Sequence, residues 1–265
     1  MDFARHIRPA LFACAFAFML LALACLAGCD SSNDKGGSNW NAPYYDAAGF
    51  SNAGDRITYA EGFKTFAKTG IDVSENQGFI DWDAVAADGI DFAFIRVGYR
   101  GTDLGGISVD DYAEYNLEAA PAAGIQCGAY FFSQAISVEE AQEEAAFVLK
   151  VLGGMDLAYP IAFDYEVSLD GASRAQDVTS EEATAIALAF CQAIEAGGYD
   201  AIIYGNAYDL DLYDLSELSR YPLWYAEYGS YPAIRRACDV WQYSNGGTVA
   251  GIDAAVDMDL DLIGA

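Results

Sequence analysis

Histidine is all but missing from this chain of 265 residues, where the single one is His6. With the leading segment removed, none remains. That excludes Ser-His-Asp and Cys-His nucleophilic catalysis and histidine-ligated zinc. Acid–base chemistry near neutral pH then falls mainly to Asp and Glu, with Tyr, Lys or Cys as rarer agents. Basic residues are also scarce, 13 against 40 acidic ones, for a formal net charge of −27. So acidic a surface repels phosphate backbones, which sets nucleic acid aside as a partner. Cysteine is sparse: beyond the first 29 residues only Cys127, Cys191 and Cys238 occur. An odd number outside the cytoplasm leaves at least one unpaired. Cys127 in a strand pattern and Cys191 in an apolar helical one read as buried free thiols.

The N-terminus carries what the rest lacks. Arg5, His6 and Arg8 precede an apolar run from residue 10 to residue 27, the architecture of a secretory signal over 1–28. It ends Leu26-Ala27-Gly28-Cys29, similar to a bacterial lipobox, in which Cys29 is lipidated and becomes the new N-terminus. A plain signal peptide or an uncleaved anchor is the alternative. The expectation is a secreted, membrane-anchored lipoprotein facing the cell wall. Losing Arg5, Arg8 and Asp2 leaves 11 basic and 39 acidic residues, a net of −28. Residues 29–43 hold the lipidated cysteine and a polar Gly/Ser-rich tether. Residues 44–69 carry Gly49, Gly54 and Gly62 among Tyr59, Phe63 and Phe66, and read as an extension packed on the domain.

From residue 70 a strand-then-helix rhythm begins. Strand patterns fall at 71–74, 92–99, 126–133, 159–167, 201–206, 223–228, 240–244 and 254–257. Ser137 with Glu140, and Thr179 with Glu182, have the spacing of capping boxes opening helices, the second closed by Gly197-Gly198. Eight parallel-type strands with interleaved helices predict an α/β fold: an irregular (β/α)8-like TIM-type barrel, one catalytic domain over 70–265. Helices look short or missing between strands six, seven and eight.

One strand stands out. In 159–167 an apolar and aromatic run reaches Asp164 and Glu166 at i and i+2, on one face of the strand. Two carboxylates on one buried face raise the free energy of their charged forms. They are either a catalytic acid with a helper, or a solvated or salt-bridged strand end. Asp72 lies on strand one and Asp257 at the end of strand eight. Barrel enzymes gather their active sites at the C-terminal ends of strands, so the four carboxylates are expected at one mouth. Tyr99, Tyr130, Tyr204, Trp224, Tyr228 and Trp241 fall at corresponding places, as sugar-stacking surfaces or as core.

An ordered series of motifs resembles the family-25 glycoside hydrolases, lysozymes that cut bacterial peptidoglycan. It comprises Gly70-Ile71-Asp72-Val73-Ser74, Gln77-Gly78, Ile80-Asp81-Trp82, Phe92 to Tyr99, Asn116 and Ala123-Gly124. Gly128 to Ser133, Phe163 to Glu166, Ile203 to Asn206, Trp224 to Tyr228, Trp241 to Ser244 and Val256-Asp257 complete it. The resemblance implies β-1,4 cleavage between N-acetylmuramic acid and N-acetylglucosamine. Glu166 would be the general acid, and Asp164 would orient the 2-acetamido group or stabilise the oxocarbenium-like transition state. Asp72 and Asp257 would line the site, with Tyr99, Tyr130, Tyr204, Trp224, Tyr228 and Gln242 binding sugar. Three ionised neighbours would raise the pKa of Glu166 into the working range. Whether a carboxylate or the substrate's acetamido group meets the developing charge stays open.

The chain departs from the family at Asp259, where Asn is frequent, and it carries no wall-binding repeat. The expected partners are peptidoglycan glycan strands and, through the lipid, a membrane. The protein is expected to be a monomer with neither cofactor nor metal. A catalytically dead sugar-binding lipoprotein and a glycosidase on chitin-like polymers are the alternatives.

Overall fold

The structure, a computed structural model, describes residues 43–166 and 173–265. The signal expected over 1–28, Cys29 and the tether up to residue 42 lie outside the described residues, as does Val167. A 3-10 turn (Ala47–Gly49) leads into β1 (Phe50–Ala53), β2 (Arg56–Glu61) and β3 (Lys64–Phe66), an antiparallel sheet in that order. Gly54 and Gly62, at φ 67° and 61°, make its two turns, where a side chain would be strained.

The remainder runs β4 (Thr69–Val73), α1 (Trp82–Ala87), β5 (Phe92–Arg100), β6 (Ile107–Val109), α2 (Ala113–Ala122), β7 (Gln126–Ser133), α3 (Val138–Leu152) and β8 (Ile161–Tyr165). It continues through α4 (Ser180–Ala196), β9 (Ala201–Asn206), α5 (Ala207–Leu210), β10 (Leu223–Ala226), β11 (Val240–Gly247) and β12 (Val256–Asp261). Eight of these strands close a barrel in the order β4-β12-β11-β10-β9-β8-β7-β5, with β5 paired back to β4 and β6 appended to the end of β5.

The eighth barrel strand corrects the sequence expectation. Seven strands are parallel, but β12 is antiparallel to both β11 and β4. A parallel crossover needs a dozen or more residues, and the connection 248–255 is too short for one, so the chain turns straight back. Asp257 therefore stands near the beginning of its strand rather than at its end. Reversal brings it to the rim where the parallel strands finish, directly opposite Asp72.

Helix ends obey their local chemistry. Thr179 and Glu182 form the full capping box of α4. Ser137 caps α3 through the Glu140 N–H, but the Glu140 carboxylate binds the Ile136 N–H and Arg174 instead of closing a box.

Alternation sorts the side chains. Phe92, Phe94, Tyr130, Tyr159, Tyr204, Trp224 and Val240 fill the barrel interior, with Phe94 stacked on Trp224 at 4.3 Å and Phe92 on Tyr159 at 4.6 Å. The odd-numbered neighbours on β5, β7 and β8 face the helices in a second core. No helix lies between β10 and β12 among the described residues, and there the N-terminal sheet covers the barrel. Phe50 meets Trp241 edge-on at 5.3 Å, Tyr45 Oη donates to the Cys238 carbonyl at 2.6 Å, and Tyr243 Oη donates to the Asp55 carbonyl at 2.9 Å. Cys127, Cys191 and Cys238 are free and buried, which pushes the thiols of Cys127 and Cys238 up to about 12.

Candidate active site

A cavity of about 270 Å³ opens at the rim formed by the ends of the parallel strands. Because alternate residues share a face, Asp72 on β4, Asp164 on β8, Tyr204 on β9, Trp224 on β10 and Gln242 on β11 all point inward. The cavity walls also include Tyr130, Glu166, Tyr228 and Asp257. The four carboxylates expected at one mouth are thus brought together, as are five of the six residues assigned to sugar binding.

Tyr99 is the exception. A register irregularity on β5 falls between Arg96 and Gly98, and the Tyr99 ring lies 5.1 Å from the Arg96 guanidinium rather than on the cavity wall. Trp241 is also no stacking surface. It is fully buried on the outer face of β11, and its indole N–H donates to the Glu227 carbonyl at 2.8 Å.

Asp72 is buried and accepts from Gln242 Nε2 at 2.8 Å. Tyr204 Oη and Tyr228 Oη donate to Gln242 Oε1 at 3.0 Å and 3.3 Å, which fixes which end of the amide faces Asp72. Burial, then Asp257 and Asp259, push the Asp72 carboxyl well above the ordinary carboxylate range. Burial raises Asp257 to about 6.

Asp164 and Glu166 are hydrogen-bonded to each other. Burial and then the Glu166 charge push Asp164 well up. Glu166 reaches about 7, through burial first, then Asp209, with Asp257 adding to it, while its bond to Asp164 pulls the other way. The expectation of three ionised neighbours therefore needs correcting. Desolvation leads, Asp164 is itself a proton holder, and the strongest charged neighbour is Asp209.

Sequence reasoning missed Asp209. It is buried on α5, where its carboxylate accepts the Asn206 N–H at 3.2 Å in a capping box. The Asn206-x-x-Asp209 spacing signals a helix start, but not that the turn lies beside the acid pair. Ser74, Asn76, Gln77, Arg96 and Phe132 also line the cavity, although none of them was assigned a role in the site. Arg96 is neutralised by Asp110 at 2.7 Å and Glu75 at 3.2 Å.

The arrangement can do two things. Glu166, partly exposed and holding a proton up to about neutral pH, can protonate an oxygen in the cavity. The aromatic floor and the amide and hydroxyl groups suit a ring that is apolar on its faces and polar at its edges.

The sequence model for glycosyl hydrolases family 25 matches residues 71–252. The chain is 29% identical over 195 residues to the autolytic lysozyme of Clostridium acetobutylicum, an alignment covering 72% of this chain and 54% of that protein. It is 29% identical over 198 residues to lysozyme M1 of Streptomyces globisporus, covering 71% and 65%. The chain thus spans less than two thirds of either relative. Among solved structures it is similar to the bacterial lysozyme of Streptomyces coelicolor, at a TM-score of 0.64 and 28% identity, over 74% of this chain and 92% of that one.

Proposed function

The chain belongs to the glycosyl hydrolases family 25, and from that membership we propose that it is a lysozyme cutting the β-1,4 bond between N-acetylmuramic acid and N-acetylglucosamine in peptidoglycan. The observation that carries this reading is the hydrogen-bonded pair Asp164 and Glu166 in a histidine-free cavity, with Glu166 held protonated to about pH 7. Glu166 gives its proton to the leaving glycosidic oxygen. Asp164, hydrogen-bonded to it, steadies the carboxylate that remains and presents a polar group to the substrate's 2-acetamido arm. Asp72 and Asp257 line the same space, and Tyr130, Tyr204, Trp224, Tyr228 and Gln242 hold the sugar. Cys29 is the proposed lipid attachment, tethering the enzyme outside the cytoplasm within reach of the wall.

The test is digestion of purified peptidoglycan by the full chain in detergent, with mass spectrometry of borohydride-reduced products. New reducing ends on N-acetylmuramic acid are expected. Ends on N-acetylglucosamine would move the bond, and wall binding without cleavage would leave a sugar-binding protein.

A pH profile gives a second check. Glu166 must be protonated to act, so kcat/KM is expected to fall as pH rises through about 7. A profile flat from pH 5 to pH 8 would remove Glu166 as the acid.

A further inference from the structure

We propose that Asp259 is a positioning residue that shares one buried proton with Asp72, so that the two carboxyls carry a single negative charge and keep it on the Asp259 side, behind the cavity wall. Asp259 is completely buried, and its Oδ1 accepts the Trp224 indole N–H at 2.8 Å. Its Oδ2 has no hydrogen-bond partner. A buried acceptor left in that state is costly, and more so when charged.

The register supplies the missing donor. On β12, Asp257 stands opposite Asp72, and Asp259, two residues on, shares its face opposite Gly70. Gly70 offers no side chain there, and a Cβ would lie 2.2 Å from the Phe92 ring. The nearest polar group across the β4 ladder is therefore Asp72, within hydrogen-bonding reach of Asp259. Across the β11 ladder Asp259 stands opposite Gln242, whose Nε2 is given to Asp72. Asp72 already accepts from Gln242 Nε2, whose amide is oriented by two tyrosine hydroxyls. A proton on Asp72, donated to Asp259 Oδ2, gives that buried oxygen the partner it otherwise lacks.

The surroundings favour one charge over two. Asp257 on β12 and Asp164 on β8 face Asp72, Glu166 lines the same cavity, and Arg96 on β5 is occupied by its own carboxylates. Tyr130, Tyr204 and Tyr228 complete the ring around Asp72, and Tyr243 feels the Asp259 charge. An asparagine at position 259 would donate its own N–H to Asp72 and move the anion to Asp72, on the cavity wall. Proton sharing stands whether or not the cavity cuts peptidoglycan, and only its effect on turnover rests on that reading.

The shared proton sets the sign of the pH effect. The folded pair keeps a proton that the unfolded chain loses above a pH of about 4. The stabilisation is complete below that pH and is lost as pH rises towards the pair's folded value. Other buried carboxyls slope the same way, so the readout is a difference. Relative to Asp259→Asn, the folding constant of the wild-type full chain is expected to drop by up to about tenfold per pH unit across pH 5 to 8. Asp72→Asn should flatten the profile as well, since its new amide would donate to an ionised Asp259. Stability–pH curves parallel to wild type in both variants overturn the proposal.

If neither variant folds, infrared spectroscopy of Asp164→Asn/Glu166→Gln at pH 8 decides, because the other proton-holding pair is then gone. A carboxylic-acid C=O band is expected, and its absence overturns the proposal. In activity, Asp259→Asn is expected to raise the pH of the basic limb, through an anion placed nearer Glu166.

Discussion

With Gln in place of Glu166, peptidoglycan cleavage is expected to fall by roughly 10²- to 10⁴-fold, the range a positioned general acid contributes, while sedimentation with insoluble wall material persists. Gln has the shape of Glu and no proton to give. The backbone at 166 is held independently of that side chain, since Gln134 Nε2 donates to its carbonyl at 2.6 Å. Asp164 keeps its place on β8, paired in register with Phe132 and Tyr204. The loss should therefore appear in kcat rather than in binding. Reducing-end release and wall pull-down on one preparation separate the two, and a variant as active as wild type would remove Glu166 from the mechanism.

The largest effect on stability is expected at Trp241, far from the chemistry. Trp241→Ala should cost about 3–5 kcal/mol, the usual toll for deleting a large buried aromatic, read by urea denaturation or as a fall in Tm of roughly 10 °C. The side chain is fully buried between β11 and the N-terminal sheet, against Phe50 at 5.3 Å and Tyr243 at 5.5 Å. Its indole N–H is already committed to Glu227, so truncation also leaves a carbonyl bare. Limited proteolysis should then cut first within 44–68. A loss below about 1 kcal/mol would mean that the sheet rests on the barrel without holding it.

Two features visible in the sequence were halves of one explanation. Helices looked absent around the last three strands, and residues 44–69 had aromatics and glycines but no evident purpose. The structure joins them, because β1 to β3 cover the barrel wall that helices leave bare. That pairing depends on contacts such as Tyr45 with Cys238, which no local pattern encodes.

The acid pair was legible because period-two alternation puts Asp164 and Glu166 on one face whatever residues come after them. Asp209 was not, because its helix-start spacing says nothing of the strand beside it. Tyr99 was misplaced for a third reason. The bulge turns it to the inward face, in register with the cavity residue Phe132. Its ring lies over the Arg96 guanidinium instead of on the cavity wall, a placement that strand alternation does not encode.

The reversed last strand ties chemistry to chain synthesis. β12 closes the barrel by joining β4 to β11, and the same strand delivers Asp257 and Asp259. Until it arrives, both flanking strands present open edges, and the cavity lacks Asp257 on its wall and Asp259 behind it. Such remote pairing belongs to the slow, late part of folding. Closing the barrel and completing the site are then one event, so a chain still emerging residue by residue has no finished cavity to act with.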